Sequence, residues 1–188
     1  MFRRALSLLG FAALVCLADC ASDATPDKMT VVAGGASAVA EGGKGYRALS
    51  VGAVNGGGST NPAWISDVTN AGLKQALETS LRNLNYLAEG AGSYVVTADI
   101  VDLDRPWAEK IHPILAIIPV DMSVSVRIHY VVRPSAGGPP VFDDTVGATG
   151  TATAEDSVAP DIRVRKANEA AVRANIAEFA ARLRSDWK

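Results

Sequence analysis

Apolar and polar residues alternate most regularly between positions 120 and 133. The apolar members of this run are Val120, Met122, Val124, Val126, Ile128, Tyr130 and Val132, and polar residues occupy most of the positions between them. A period of two predicts a β-strand with one buried and one solvated face, which is typical of an antiparallel sheet. On this pattern Ser123, Ser125, Arg127 and His129 lie on the solvated face.

Shorter runs of the same kind predict three more strands, over residues 46–54, 94–103 and 141–153. In the first of these strands the apolar face is formed by Leu49, Val51 and Ala53. In the last strand one face carries four threonines, Thr145, Thr149, Thr151 and Thr153.

Two segments instead show the 3.6-residue period of an amphipathic helix. The first follows Ser59-Thr60-Asn61, with Pro62 in its first turn, and its stripe is Ile65, Val68, Leu73, Leu77, Leu81 and Leu84. The second covers about residues 161–186, with the stripe Val172, Ile176, Phe179, Leu183 and Trp187. Beside the second stripe lie small alanines, which allow close packing on a sheet: Ala167, Ala171 and Ala174.

The predicted order of elements is β-α-β-β-β-α. Two amphipathic helices can cover one face of a four-stranded, mostly antiparallel sheet, which gives a two-layer α+β sandwich. The second face of the sheet is then left polar.

The N-terminus has the pattern of a signal peptide over residues 1–19. Arg3 and Arg4 precede an apolar run at positions 5–18, and 14 residues are too few to cross a bilayer comfortably. After the leader, residues 20–45 are rich in Ala, Gly, Ser and Asp, and they predict a flexible tether. Residues 46–188 then form a single domain.

The end of the leader, Leu17-Ala18-Asp19-Cys20, resembles the lipobox of bacterial lipoproteins. The resemblance implies that Cys20 is acylated with diacylglycerol and that its new N-terminus takes a further acyl chain, such as palmitate. Asp19 departs from the Gly, Ala or Ser that lipoproteins usually carry there. Ala21, where inner-membrane lipoproteins of enterobacteria carry Asp, implies placement on the periplasmic face of the outer membrane. The alternative is cleavage near residues 18–22 and release into the periplasm.

Composition excludes several classes of site. Without Arg3, Arg4 and Asp19, the chain has 16 basic and 19 acidic residues, a formal charge of −3, so nothing indicates a nucleic-acid partner. Cys16 leaves with the leader and Cys20 is acylated on the lipoprotein interpretation. The domain then lacks a disulfide, a cysteine nucleophile and a cysteine metal ligand.

The element order behind a lipoprotein leader resembles small accessory lipoproteins of the bacterial envelope. Among them are the lipopolysaccharide-assembly lipoprotein and the auxiliary lipoproteins of ABC-type lipid transporters. Two C-terminal stretches, Arg165-Lys166-Ala167-Asn168-Glu169 and Arg173-Ala174-Asn175-Ile176 followed by Phe179, resemble a family of uncharacterised proteobacterial lipoproteins. Members of that family are described as sugar-nucleotide acyltransferases. Such acyltransferases resemble left-handed β-helices built on hexapeptide repeats, and this chain has no such repeat, so its sequence does not support that activity.

No motif predicts catalysis, a cofactor or a metal site. Gly56-Gly57-Gly58 fails the dinucleotide-binding spacing and is better explained as a flexible loop before a helix. His112 and His129 are far apart in sequence, and no nucleophile elbow is present. The neighbouring aspartates, Asp99, Asp102 and Asp104, are interpreted as solvated residues near a strand end.

Four polar residues interrupt the alanine-rich C-terminal helix: Asn168, Glu169, Arg173 and Asn175. The favoured interpretation is solvent contact, with an i,i+4 pair between Glu169 and Arg173. The alternative is a polar face held against the sheet edge or a partner.

The connection over residues 107–119 is unusually apolar for a segment between two strands. It contains six large apolar residues, Trp107, Ile111, Ile114, Leu115, Ile117 and Ile118, which are predicted to bind a partner or the membrane. The alternative is a lid over the core, in which case the interface is expected on the polar face around Arg127, His129 and Thr149.

Three hypotheses for function follow. The first is a non-enzymatic, lipid-anchored accessory protein that binds an envelope protein or lipid. The second is a periplasmic module that holds a small amphiphile between sheet and helices. The third, an envelope enzyme, has the least support from the sequence.

Overall fold

The computed structural model describes residues 21–32, 38–60, 66–105 and 121–187. Its helices and strands are α1 (Pro26–Met29), β1 (Leu49–Asn55), α2 (Asn70–Asn83), β2 (Tyr94–Asp104), β3 (Met122–Pro134), β4 (Phe142–Ala152) and α3 (Pro160–Asp186). After α1 the order is the predicted β-α-β-β-β-α. Within the described ranges, no helix combines the length and apolar character needed to cross a bilayer.

The four strands form one sheet in the order β1-β2-β3-β4. β1 runs parallel to β2, and the other neighbouring pairs are antiparallel. On β3, Val124, Val126 and Ile128 are buried, whereas Ser125 and Arg127 are exposed. The predicted α+β class, the mostly antiparallel sheet and the register of β3 are therefore confirmed.

The core lies between the sheet and the two long helices. From α2 it receives Leu73, Leu77 and Leu81, all fully buried. From α3 it receives Val172, Ile176, Phe179 and Leu183, also fully buried. Phe179 stacks on Tyr130 of β3 with ring centroids 4.1 Å apart. Ala167 and Ala171 of α3 are fully buried too, which confirms their predicted role in close packing, whereas Ala174 is exposed and its predicted packing role is wrong.

The first strand differs from its prediction. Residues 45–48 form a turn, in which Gly45 and Arg47 have positive φ angles of 83° and 48°, and the strand begins only at Leu49. Its pairing with β2 shifts between Val51 and Val54. A β-bulge of this kind changes which side chains face the core. As a result Ala53 is exposed and Val54 is buried, contrary to the predicted alternation.

The first long helix begins later than predicted. Thr69 caps it, and the Thr69 hydroxyl accepts a hydrogen bond from the Gly72 N–H at 3.0 Å. Residues 66–69 are not helical, because the backbone carbonyls of Asp67 and Val68 are hydrogen-bonded to other segments of the chain and not within a helix. The Asp67 and Val68 carbonyls accept hydrogen bonds from Ala24 and Gly58 respectively. The predicted first turn at Pro62 lies outside the described residues.

Residues 21–32 are folded onto the domain, whereas a mostly disordered tether was expected over residues 20–45. Ala21 and Ala24 are buried, and Met29 is fully buried in the main core. These residues form what we call the strap, which packs against both α2 and α3. Composition predicts flexibility here because Ala and Ser carry little apolar area, but the strap is held by contacts that are distant in sequence. In the described part of residues 38–45, Val39 is buried as well.

Candidate binding surface on the open face of the sheet

The face of the sheet opposite the helices carries mostly short polar and charged side chains, as predicted, with the apolar Val131 among them. We call it the open face and define it by Asp99, Asp102, Ser123, Ser125, Arg127, His129, Thr145, Thr149 and Thr151. Strand register brings these residues together: His129 lies between Asp99 and Thr145, and Arg127 lies between Asp102 and Gly147. In the part of the chain that the structure describes, no helix packs on this face.

Two side-chain pairs cross the open face. Arg127 Nε lies 3.2 Å from Asp102 Oδ2, and His129 Nε2 lies 2.8 Å from Asp143 Oδ1. The Arg127 and Asp102 side chains are 60% and 46% exposed, so their attraction is screened and contributes at most about 1 kcal/mol. The Arg127–Asp102 pair can therefore exchange partners with an incoming molecule at little cost.

Hydroxyl groups form the second component of the open face. The Ser125 and Thr149 hydroxyls lie opposite each other on β3 and β4, with their oxygens 2.9 Å apart. Asn55 extends the polar surface onto β1, where its side-chain amide donates to Asp99 Oδ1 at 2.8 Å. Hydroxyls and amides both donate and accept hydrogen bonds, so this surface suits a polar partner.

The predicted role of Arg127, His129 and Thr149 as members of one polar face is confirmed, and so is the solvated setting of Asp102. The side-chain partners of Arg127 and His129 were not predicted, because Asp102 and Asp143 reach the face through strand register. Within the described ranges, no group of three His, Cys, Asp or Glu side chains converges as a metal site would require.

The other predicted site residues lie outside the described residues. These are the lipidation site Cys20 and the six apolar residues of the connection, Trp107, Ile111, Ile114, Leu115, Ile117 and Ile118. The described residues end at Arg105, before this connection, and begin again at Asp121, next to β3. Arg105 Nη2 is 2.6 Å from Asp67 Oδ1, and both side chains are largely buried.

The polar residues of α3 are mostly buried, which contradicts the favoured interpretation of solvent contact. Asn175 is fully buried, accepts a hydrogen bond from the Tyr130 hydroxyl at 2.9 Å and donates to the Val146 carbonyl at 2.7 Å. Burial raises the pKa of Tyr130, so this hydroxyl stays a donor. Asn168 is also fully buried and donates to the Ser66 carbonyl at 2.8 Å.

The predicted pair between Glu169 and Arg173 is wrong. Glu169 is 3.9 Å from Arg165 and accepts a hydrogen bond from the Thr25 N–H at 2.9 Å. Arg173 instead donates to the Lys28 carbonyl at 2.9 Å. Both residues therefore hold the strap. The sequence showed a carboxylate on an alanine-rich helix. Its partner is a backbone N–H, which every residue except proline has, so the sequence could not identify this contact with the strap.

A surface cleft of about 370 Å³ lies at the C-terminal end of α3. It is lined by Ala38, Val39, Ala40, Gly43, Lys44, Arg184 and Trp187. The Trp187 ring lies edge-on to Tyr94 with centroids 5.0 Å apart. This cleft is not the cavity that the amphiphile hypothesis places between sheet and helices, where the core side chains described above are packed.

Comparison with known proteins yields likeness of fold only. A Xanthomonas campestris protein with the DUF330 family designation has a TM-score of 0.57 and 11% identity, covering 88% of this chain and 94% of its own. A provisionally assigned lipoprotein from Caulobacter crescentus has a TM-score of 0.47 and 12% identity, covering 75% of this chain and 91% of its own. A hypothetical protein from Chlamydia trachomatis has a TM-score of 0.46 and 8% identity, covering 72% of this chain and 96% of its own.

No protein-family model matches the sequence, and no curated protein matches it. Of the three structures, the Xanthomonas protein is similar enough for the likeness to carry weight. The chain shares the fold of that protein, an α+β domain with a four-stranded sheet under helices.

Proposed function

We propose that this chain is a lipid-anchored accessory protein on the periplasmic face of the bacterial outer membrane, which acts by binding an envelope protein. The observation that carries the proposal is the open face itself. It is a polar surface over a packed core, and its members Ser125, Arg127 and Thr149 are exposed. A fold by itself does not determine function, whereas an exposed polar surface of this kind is available to a partner.

The charges of the open face favour a protein partner over an anionic lipid. Asp99, Asp102 and Asp143 lie around Arg127 and His129, so both signs are present and acidic groups are in excess. A surface that carries both signs favours a protein partner with a complementary arrangement of charges, because such charges set partner choice and register. The apolar residues of the connection at 107–119 are proposed to supply further anchoring contacts to the partner.

The lipid anchor is supported by the leader and by Cys20. We expect the mature protein to begin at Cys20 and to carry acyl chains there, since two or more chains give stable membrane attachment. Mass spectrometry of the mature N-terminus tests this directly. A Cys20→Ala variant is the control and should lose membrane attachment. An unmodified cysteine, or a mature chain that starts at a later residue, would contradict the anchor.

Site-specific photocrosslinking tests the binding surface. A photoreactive amino acid replaces Ser125 on the open face, Ile114 in the apolar connection, or Gln75 on the exposed side of α2 as the matched control. We expect a discrete crosslinked protein from positions 125 and 114 and none from position 75, in cells that carry the native envelope. Crosslinks from position 114 alone would remove the open face from the interface, and crosslinks to lipid alone would contradict a protein partner.

A further inference from the structure

We propose that the lipid at Cys20 holds one end of the domain directly against the membrane surface, with the headgroup layer of the bilayer as the partner of that end. The inference rests on the lipid anchor proposed above and goes beyond it, because an anchor alone does not fix an orientation. It comes from the strap, residues 21–32, which leaves almost no free chain between Cys20 and the folded domain.

The first half of the strap is held by hydrogen bonds from its backbone. The Ala24 N–H donates to the Asp67 carbonyl at 2.9 Å, and the Thr25 N–H donates to Glu169 Oε1 at 2.9 Å. Ser22 accepts a hydrogen bond from Arg165. The chain is therefore fixed to α3 and to the start of α2 within a few residues of Cys20.

The second half of the strap is held more firmly. Met29 is fully buried in the core, and such a side chain is costly to expose. The Val31 N–H donates to the Ser80 hydroxyl, and the Val31 carbonyl accepts from the Asn83 amide, both at 2.9 Å. Because the contacts of the two halves together reach both long helices, the strap cannot lengthen without breaking part of the core.

The distance between lipid and domain follows directly. Consecutive Cα atoms are about 3.8 Å apart, so the acylated residue lies within one residue of the buried Ala21. A flexible tether over residues 21–45 would instead span about 25–30 Å on average. The folded strap removes that reach.

The anchored end of the domain is the end at which β1, β2 and β4 finish and β3, α2 and α3 begin. Asp67 connects the strap to this end, since it bonds both Ala24 and Arg105, and Arg105 directly follows β2. Val158 lies in the turn between β4 and α3, and it is 89% exposed. An exposed valine is well suited to the boundary between headgroups and acyl chains.

The sheet then stands upright on the membrane. Its strands run from the anchored end to the opposite end, and the 13 residues of β3 span about 40 Å. The open face is in this way presented sideways to other envelope components, at a height set by the strap.

Fluorescence quenching in vesicles tests the orientation. In the acylated protein, a fluorophore whose emission is insensitive to its environment is attached to the cysteine of a Val158→Cys variant. The matched control carries it in an Ala136→Cys variant, in the exposed turn at the opposite end. Vesicles contain phosphatidylethanolamine, phosphatidylglycerol and a phosphatidylcholine with a nitroxide on its headgroup. We expect the probe at position 158 to lose fluorescence and the probe at position 136 to retain it. Equal quenching at both positions would overturn the orientation.

A linker variant separates the strap from the anchor. Twelve Gly and Ser residues inserted between Cys20 and Ala21 place a flexible tether between the lipid and every contact of the strap, and we expect the quenching at position 158 to fall to that at position 136 with an unchanged thermal melt. Quenching that survives the insertion would show that the strap does not set the orientation. Flotation of the protein with vesicles reports the anchor separately: protein that does not float contradicts the lipid anchor, whereas protein that floats with an unquenched probe at position 158 contradicts the orientation alone.

Discussion

Replacing Val126 by Asp should prevent stable folding, whereas replacing its neighbour Ser125 by Asp should leave the fold intact. Val126 is fully buried at the centre of β3, between Leu103 of β2 and Ala148 of β4. An unpaired carboxylate at that position costs several kcal/mol or keeps the strand from docking, against a total stability of about 5–15 kcal/mol for a domain.

Ser125 points to the open face and is exposed. An Asp there lies opposite Asp104 and Thr149, so like-charge repulsion should cost no more than about 1 kcal/mol. Thermal and urea melts of both variants, followed by circular dichroism, measure the difference. Because a slip of one residue exchanges the two faces of a strand, the opposite ranking would mean that β3 adopts the other register in solution.

The sequence predicted most of the fold because its strongest patterns are local. The alternation in β3 needs no knowledge of the partner strands, and the stripes of the two long helices are equally self-contained. The β1 register was wrong because a bulge between Val51 and Val54 shifts the strand. The predicted start of α2 was wrong because the helix is capped at Thr69 and not near Pro62. The position of this cap depends on hydrogen bonds between the chain around Asp67 and residues distant in sequence.

The binding surface was predicted only in part, for the same physical reason. Membership of the open face follows from alternation, so Arg127 and His129 were placed correctly. Their partners Asp102 and Asp143 are set by the pairing between strands, which alternation within one strand does not encode. The strap was missed because Glu169 and Ser80, more than 45 residues away in sequence, hold backbone groups of the strap.

Replacing Gly150 by Val should detach α3 from the sheet, and even Gly150→Ala should be severely destabilising. A Cβ atom at Gly150 would lie 2.3 Å from both the Ala167 carbonyl oxygen and the Ala171 nitrogen. Both are backbone atoms of α3, so no side chain can move aside, and the helix itself must shift. The same close approach lets Asn175 reach the Val146 carbonyl, so a shifted helix also leaves buried polar groups unpaired.

The matched control is Gly147→Ala, on the same strand but on the open face. There a Cβ atom meets only Arg127 Cγ, at 3.8 Å, which is an ordinary contact. Alanine is favoured over glycine in a strand by about 0.5–1 kcal/mol where its backbone geometry fits, so this control should be neutral or slightly stabilising. Gly150→Ala should instead lose on the order of 3–5 kcal/mol, since overpacking against a rigid backbone adds to the loss of buried hydrogen bonds. Urea denaturation of the two alanine variants gives the comparison, and equal midpoints would show that α3 does not approach β4 as closely as the backbone contacts at Gly150 require.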